Sequence, residues 1–182
     1  LIARREVAAR LPRVCAVVAE MSDLPCAHAP AFGPRLPASL AVAQVFWSAT
    51  GAFNEPDSQR LAYAIGRAVV LRFFVPAQSG TRLHLRLDPA ERRGTATIHD
   101  MSVVALAHQQ PGTERPLVER FPAIQLLHGA RRLTESWPMV LACLDEDPAF
   151  QLPPIVLGDL PSALIVEVRL TFVPNEAAPL PS

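Results

Sequence analysis

The sequence has no lysine; all 17 of its basic residues are arginine. With abundant Ala and Pro, that bias fits a GC-rich coding sequence. The alternative is a demand for bidentate anion contacts, which arginine makes and lysine does not. The arginines are scattered, and scattering favours the compositional reading. Neither sign of charge is in excess, with 17 basic against 17 acidic residues, so no global field draws in nucleic acid or an anionic membrane. Cysteine is scarce: Cys15, Cys26 and Cys143 are an odd set without paired spacing. A disulfide framework is therefore not expected, and a reducing, cytoplasmic compartment is. No apolar run reaches the roughly 18 residues that cross a bilayer, and no signal-peptide layout is visible. The 8 glycines are dispersed, which leaves no phosphate-cradling loop and no Gly-x-Ser-x-Gly nucleophile elbow. The first residue is Leu1, and the expectation is of a longer protein that begins upstream.

What is present suits one domain. The chain has 182 residues, half of them apolar, enough to bury a sizeable core. Residues 1–24 form the expected N-terminal helix. Within 2–21, Val7, Leu11, Val14, Val18 and Met21 step by four and three and give one apolar stripe, with Pro12 as a kink. That stripe suits docking on the domain, or a helical segment that joins subunits into a homo-oligomer. Residues 25–39, rich in Pro and Ala, read as an extended connector.

From residue 40 to 175 the period changes to two. Strands are expected over 41–47, 68–75, 82–88, 95–107 and 163–173, with weaker candidates at 123–127 and 137–144. The piece between the last two is read as able to hold a helical turn. Leu83, Leu85 and Leu87 face one way and Arg82, His84 and Arg86 the other. Leu164, Val166, Val168, Leu170 and Phe172 likewise oppose Glu167, Arg169 and Thr171. Strands at this spacing, with gaps too short for crossover helices, predict a mainly all-β fold. The expected form is a jelly-roll-like antiparallel β-sandwich with an N-terminal α-helix, and residues 176–182 as a tail.

Several constellations carry chemistry on paper. Asp145-Glu146-Asp147 offers oxygen ligands for a divalent metal, as in metal-dependent glycosyltransferases. No nucleotide-binding α/β core accompanies it, so a solvated turn before Pro148 is the reading kept. Cys15, Cys26 and His28 lack a standard zinc spacing. His99 and Asp100, adjacent on a strand, should point apart and so cannot share a catalytic triad. No catalytic residue, metal or cofactor is assigned. Arg82, His84 and Arg86, with Arg92 and Arg93 nearby, form either a basic strip or a solvated face paired with Asp88, Glu91 or Glu167. Trp47, Tyr63 and Trp137 offer ring faces for sugars, or fill the core.

Three segments carry a resemblance. They are Gln44-Val45-Phe46-Trp47 running on to Gly51 through Ser58, then Leu83-His84-Leu85-Arg86-Leu87-Asp88-Pro89, and Asp147-Pro148-Ala149-Phe150-Gln151-Leu152-Pro153. In this order the chain resembles, over about residues 40–173, a β-sandwich accessory domain of large bacterial proteins of surface-polysaccharide (O-antigen type) synthesis. Those proteins also carry glycosyltransferase or methyltransferase domains. The resemblance implies a non-catalytic module that binds carbohydrate or positions a neighbouring glycosyltransferase domain. It supplies no catalytic residues. The candidate contacts, chosen by residue type and alternation, are Trp47, Asn54, Tyr63, Arg82, His84, Arg86 and Trp137. The two Asp-Pro pairs read as structural corners, with Asp accepting backbone hydrogen bonds in the adjoining turn.

Overall fold

Twelve antiparallel strands and one 3-10 turn make up the computed structural model, which describes residues 37–76, 82–106, 114–119, 124–157 and 163–175. In chain order the strands are β1 (Leu40–Ser48), β2 (Ser58–Ala64), β3 (Val69–Pro76), β4 (Arg82–Asp88), β5 (Gly94–Leu106) and β6 (Glu114–Glu119). They continue as β7 (Gln125–His128), β8 (Ala130–Arg132), β9 (Met139–Cys143), β10 (Ala149–Gln151), β11 (Ile155–Val156) and β12 (Ala163–Pro174). They form two six-stranded sheets. The first runs β2-β1-β4-β10-β7, with β11 also on β4; the second runs β3-β12-β5-β9-β8, with β6 also on β5. No helix among the described residues is long and apolar enough to cross a membrane. The expected helix over 2–21 and most of the connector lie outside the described residues.

The two-residue rhythm is what builds the sheets. On β4, Leu83, Leu85 and Leu87 are buried while Arg82, His84 and Arg86 are not. On β12, Leu164, Val166, Val168, Leu170 and Phe172 are buried and Arg169 is exposed. Side chains from both sheets, among them Phe73, Phe150, Phe172 and Leu85, belong to one apolar cluster. Burying one such side chain stabilises by about 1.5–3 kcal/mol. The long strand β5 shows where a simple rhythm fails. Ala96 and Ile98 are buried, and then Met101 and Val103, so the phase slips by one residue. The slip falls at His99, where the pairing with β12 passes from Ile98↔Leu170 to Asp100↔Arg169. One extra residue makes a β-bulge and re-aims the rest of the strand. It separates the half of β5 that pairs β9 from the half that pairs β6.

Two expectations are corrected. The stretch between 127 and 137 holds no helical turn: β8 occupies it, hydrogen-bonded to β9. Five strands were not foreseen. β2 mixes Ser58, Gln59 and Arg60 with its inward side chains; β8, β10 and β11 are two or three residues long, too short to show a period. β6 carries Pro116, which suits its place against one partner only.

Candidate functional site

On β1 both faces are buried. Ala41, Ala43, Val45 and Trp47 join the core cluster, while Val42, Gln44, Phe46 and Ser48 on the opposite face are also buried. A strand buried on its outer face has something built over it. That face of β1 and β4 is the floor of a cleft of about 540 Å³.

Arg86 stands at its centre. Its Nε donates to Asp88 Oδ1 at 2.8 Å and its Nη2 to Asp88 Oδ2 at 2.6 Å, a bidentate fork. Nη2 also donates to Asp147 Oδ1 at 3.2 Å. The other Asp147 oxygen meets His128 Nε2 at 2.9 Å. Beneath, the guanidinium carbon lies 4.6 Å from the centroid of Phe46, a cation–π contact. Phe53 meets the same ring edge-on at 6.5 Å. Arg86 is thus held by three residues, Phe46, Asp88 and Asp147, from three parts of the chain.

Burial opposes the Arg86 charge, but the hydrogen bonds and charge of Asp88, then Asp147 and Glu55, outweigh it and hold its pKa above the ordinary value. Asp88 is more deeply placed. Burial pushes its carboxyl up to about 6, against the pull of Arg86 and with a further push from Asp147. Asp88 therefore changes charge near neutrality while Arg86 does not.

The rim comes from two loops. The 3-10 turn Glu55–Asp57 begins at Asn54, whose Oδ1 accepts from Asp57 N at 3.2 Å, the usual cap for unpaired first-turn amides. This turn brings Glu55 to Gln44, whose Nε2 donates to Glu55 Oε2 at 2.9 Å and to Ser58 Oγ at 2.8 Å. The second loop, residues 144–148, carries Glu146 and Asp147 from β9 to β10. Leu144 N donates to Gly129 O at 2.7 Å, and Asp145 Oδ1 accepts from Asp147 N at 3.0 Å. Gly129, at φ +59°, leaves the space: a Cβ there would stand 2.0 Å from Asp145 Oδ1. Glu91 pairs with Arg60 on the remaining side.

The seven predicted contacts separate clearly. Arg86 and Asn54 line the cleft. His84 lies on the same strand, half-buried, with Nδ1 at 3.5 Å from Gln151 Nε2. Arg82 is exposed at the far end of β4, opposite Val156. Trp47 and Tyr63 face the core, and Tyr63 Oη donates to Pro89 O at 2.7 Å. Burial raises the Tyr63 pKa far above its usual value. Trp137 is partly buried against the core cluster.

Within the basic strip, Arg86 takes Asp88, while Arg92 donates to the carbonyls of Ala38 and Pro37, both at 3.1 Å. Elsewhere, the exposed Arg72 takes Glu167 at 2.8 Å. His99 and Asp100 diverge: His99 Nε2 meets Thr171 Oγ1 at 2.8 Å, and Asp100 Oδ1 accepts from Met101 N at 3.0 Å. Among the described residues no group of three His, Cys, Asp or Glu side chains converges as a metal set. Cys15, Cys26 and His28 lie outside the described residues. Cys143 is buried, and burial pushes its thiol up to about 12.

Sequence reasoning missed Gln44, Phe46, Phe53 and Glu55, took Asp147 for a solvated turn, and took Asp88 and Glu91 only as arginine partners on a solvated face. A signal was present. The Asp-Pro pairs at 88–89 and 147–148 are not backbone-capped corners of the expected kind: both aspartates clasp Arg86. Gln44 and Phe46, the turn at 53–55, Arg86 with Asp88, and Asp147 fall in the three segments that carried the resemblance, and all line one cleft. No family model matches the chain, and no curated protein or solved structure was found similar to it.

Proposed function

We propose that this domain is a non-catalytic, carbohydrate-binding accessory module, and that the Arg86 cleft is its binding site. The observation that carries the reading is the convergence of three distant segments on a fixed arginine, over an aromatic floor, with amide and carboxylate groups at the rim. Sugars present C–H faces and hydroxyl groups that both donate and accept. A site of rigid donors, acceptors and one partly exposed ring, Phe53, meets both needs. Arg86 and Asn54 keep their assigned role, and His84 and Arg82 extend the same face. Trp47 and Tyr63 have no ring surface free for a ligand.

In this reading the two sheets are a jelly-roll-like sandwich, and their shared apolar cluster supports it. The module serves a cytoplasmic bacterial protein of surface-polysaccharide synthesis, positioning a glycosyltransferase domain on its glycan. Glycan-array screening followed by titration tests it. Wild-type protein is expected to bind, and Phe53→Ala and Asn54→Ala to bind at least fivefold more weakly while unfolding normally. Absence of glycan binding by the wild type contradicts the reading.

A further inference from the structure

The hydrogen bonds around Gln44 fix which way its amide points. Glu55 as a carboxylate only accepts, so the group that faces it is the NH2. Ser58 Oγ spends its proton on Glu55 O at 2.7 Å, so it too accepts from Gln44. Both amide protons are therefore used, and Oε1 remains as an acceptor without a protein partner. Gln44 is only 5% exposed, yet it lines the cleft, and no described side-chain polar atom is both fully buried and unpaired. Oε1 thus opens to the cleft. Arg86 is the complement. Its Nε and Nη2 are committed to Asp88 and Asp147, which leaves Nη1 as the free donor.

Gln44 is paired with Asp88, and Phe46 with Arg86, so Gln44 and Arg86 are diagonal neighbours on adjacent strands. Such neighbours lie about 7–8 Å apart along the sheet, close enough for one small ring above them to face both side chains. Charge limits what else fits. Five carboxylates line the cleft against two arginines, and both arginines are already in ion pairs. An added anion meets net repulsion and no free cation.

Resting on the carbohydrate reading, we infer that the cleft recognises a single uncharged pyranose at two points across its ring. One hydroxyl donates to Gln44 Oε1 and another accepts from Arg86 Nη1, while sugars bearing carboxylate or phosphate are rejected. The specificity-determining residue is Gln44, which residue type alone did not single out.

The test uses NMR titration of the whole chain with methyl glucoside, methyl galactoside and methyl mannoside, each beside its 6-carboxylate. At least one neutral sugar is expected to bind, and its carboxylate to bind at least tenfold more weakly. Monodeoxy analogues of the sugar that binds should show two positions whose loss weakens binding about five- to tenfold. In Gln44→Met one of those two losses should vanish. The deoxy series on wild-type protein stands even if that variant fails to fold. Equal or tighter binding of the carboxylates overturns the inference and leaves the carbohydrate reading in place. So does a deoxy series without two sensitive positions, or one unchanged in a folded Gln44→Met. Failure of all three neutral sugars overturns the inference; if a glycan array is also blank, the carbohydrate reading falls with it.

Discussion

The outer faces of the two sheets are made of similar residues and behave oppositely. On β3 of the second sheet the rhythm is clean: Val70, Arg72, Phe74 and Pro76 are exposed, and Leu71, Phe73 and Val75 are buried. Its Arg72–Glu167 pair sits in solvent, with side chains 49% and 36% exposed. On β1 and β4 of the first sheet, Arg86 and Asp88 are 17% and 7% exposed and are overlaid by loops. The same arginine–carboxylate chemistry is a solvated decoration on one face and a built device on the other. Burial decides which: water screens the first pair strongly and the second much less.

The sharpest way to break that comparison is to truncate each arginine. Arg86→Ala leaves the buried Asp88 without its partner and is expected to cost about 3–5 kcal/mol in urea unfolding. Arg72→Ala should cost less than ~1 kcal/mol. Equal effects would mean that the two faces do not differ as described.

The buried pair also sets a pH dependence. The Asp88 pKa lies near 6 when folded, above the ordinary aspartate value. Between about pH 4 and 6 the unfolded chain has released this proton and the folded chain still holds it. The Asp88 contribution to stability is therefore full below that window and is lost as pH rises through it, by roughly 2–3 kcal/mol. Asp88→Asn should flatten this part of the curve, measured by denaturant unfolding across the range. A wild-type contribution that grows with pH in the window would reverse the assignment.

A smaller effect is expected at the loop that carries Asp147. Gly129→Ala forces a side chain into left-handed backbone and into the Asp145 carboxylate, at about 1–2 kcal/mol. It should also displace Asp147 from Arg86, visible as a shift of the Arg86 Nε–H resonance. The last of these changes is Tyr63→Phe, which leaves the Pro89 carbonyl without its donor. That should lower thermal stability by about 1 kcal/mol.

Much of the fold was legible because β4 and β12 each bury one face. Both show it residue by residue, whereas the run over 68–75 is nearly all apolar and does not announce that β3 exposes every second residue. The bulge at His99 was written in the sequence as a change of phase, Ala96 and Ile98 followed by Met101 and Val103, yet a strand read as one unbroken period hides it. β10 and β11 have too few residues for any period. The candidate site was legible only in part, because its residues come together through pairing register. Nothing in the sequence states that Asp147 lies beside Arg86. That follows from β10 pairing β4 at Phe150↔Leu87, which brings the preceding loop over the arginine. Choosing contacts by residue type drew attention to Trp47 and Tyr63, which have the right rings on the wrong face. It passed over Gln44, whose value depends on two neighbours that use up its amide protons.

The most direct test is a map of where a sugar touches the domain. Nitrogen-15 shift mapping with the array-selected glycan should move Gln44, Phe53, Asn54 and the Arg86 side chain, and leave Arg72, Phe74 and Arg169 still. Perturbations gathered on the β3–β12 face, with the Arg86 cleft silent, would contradict the account.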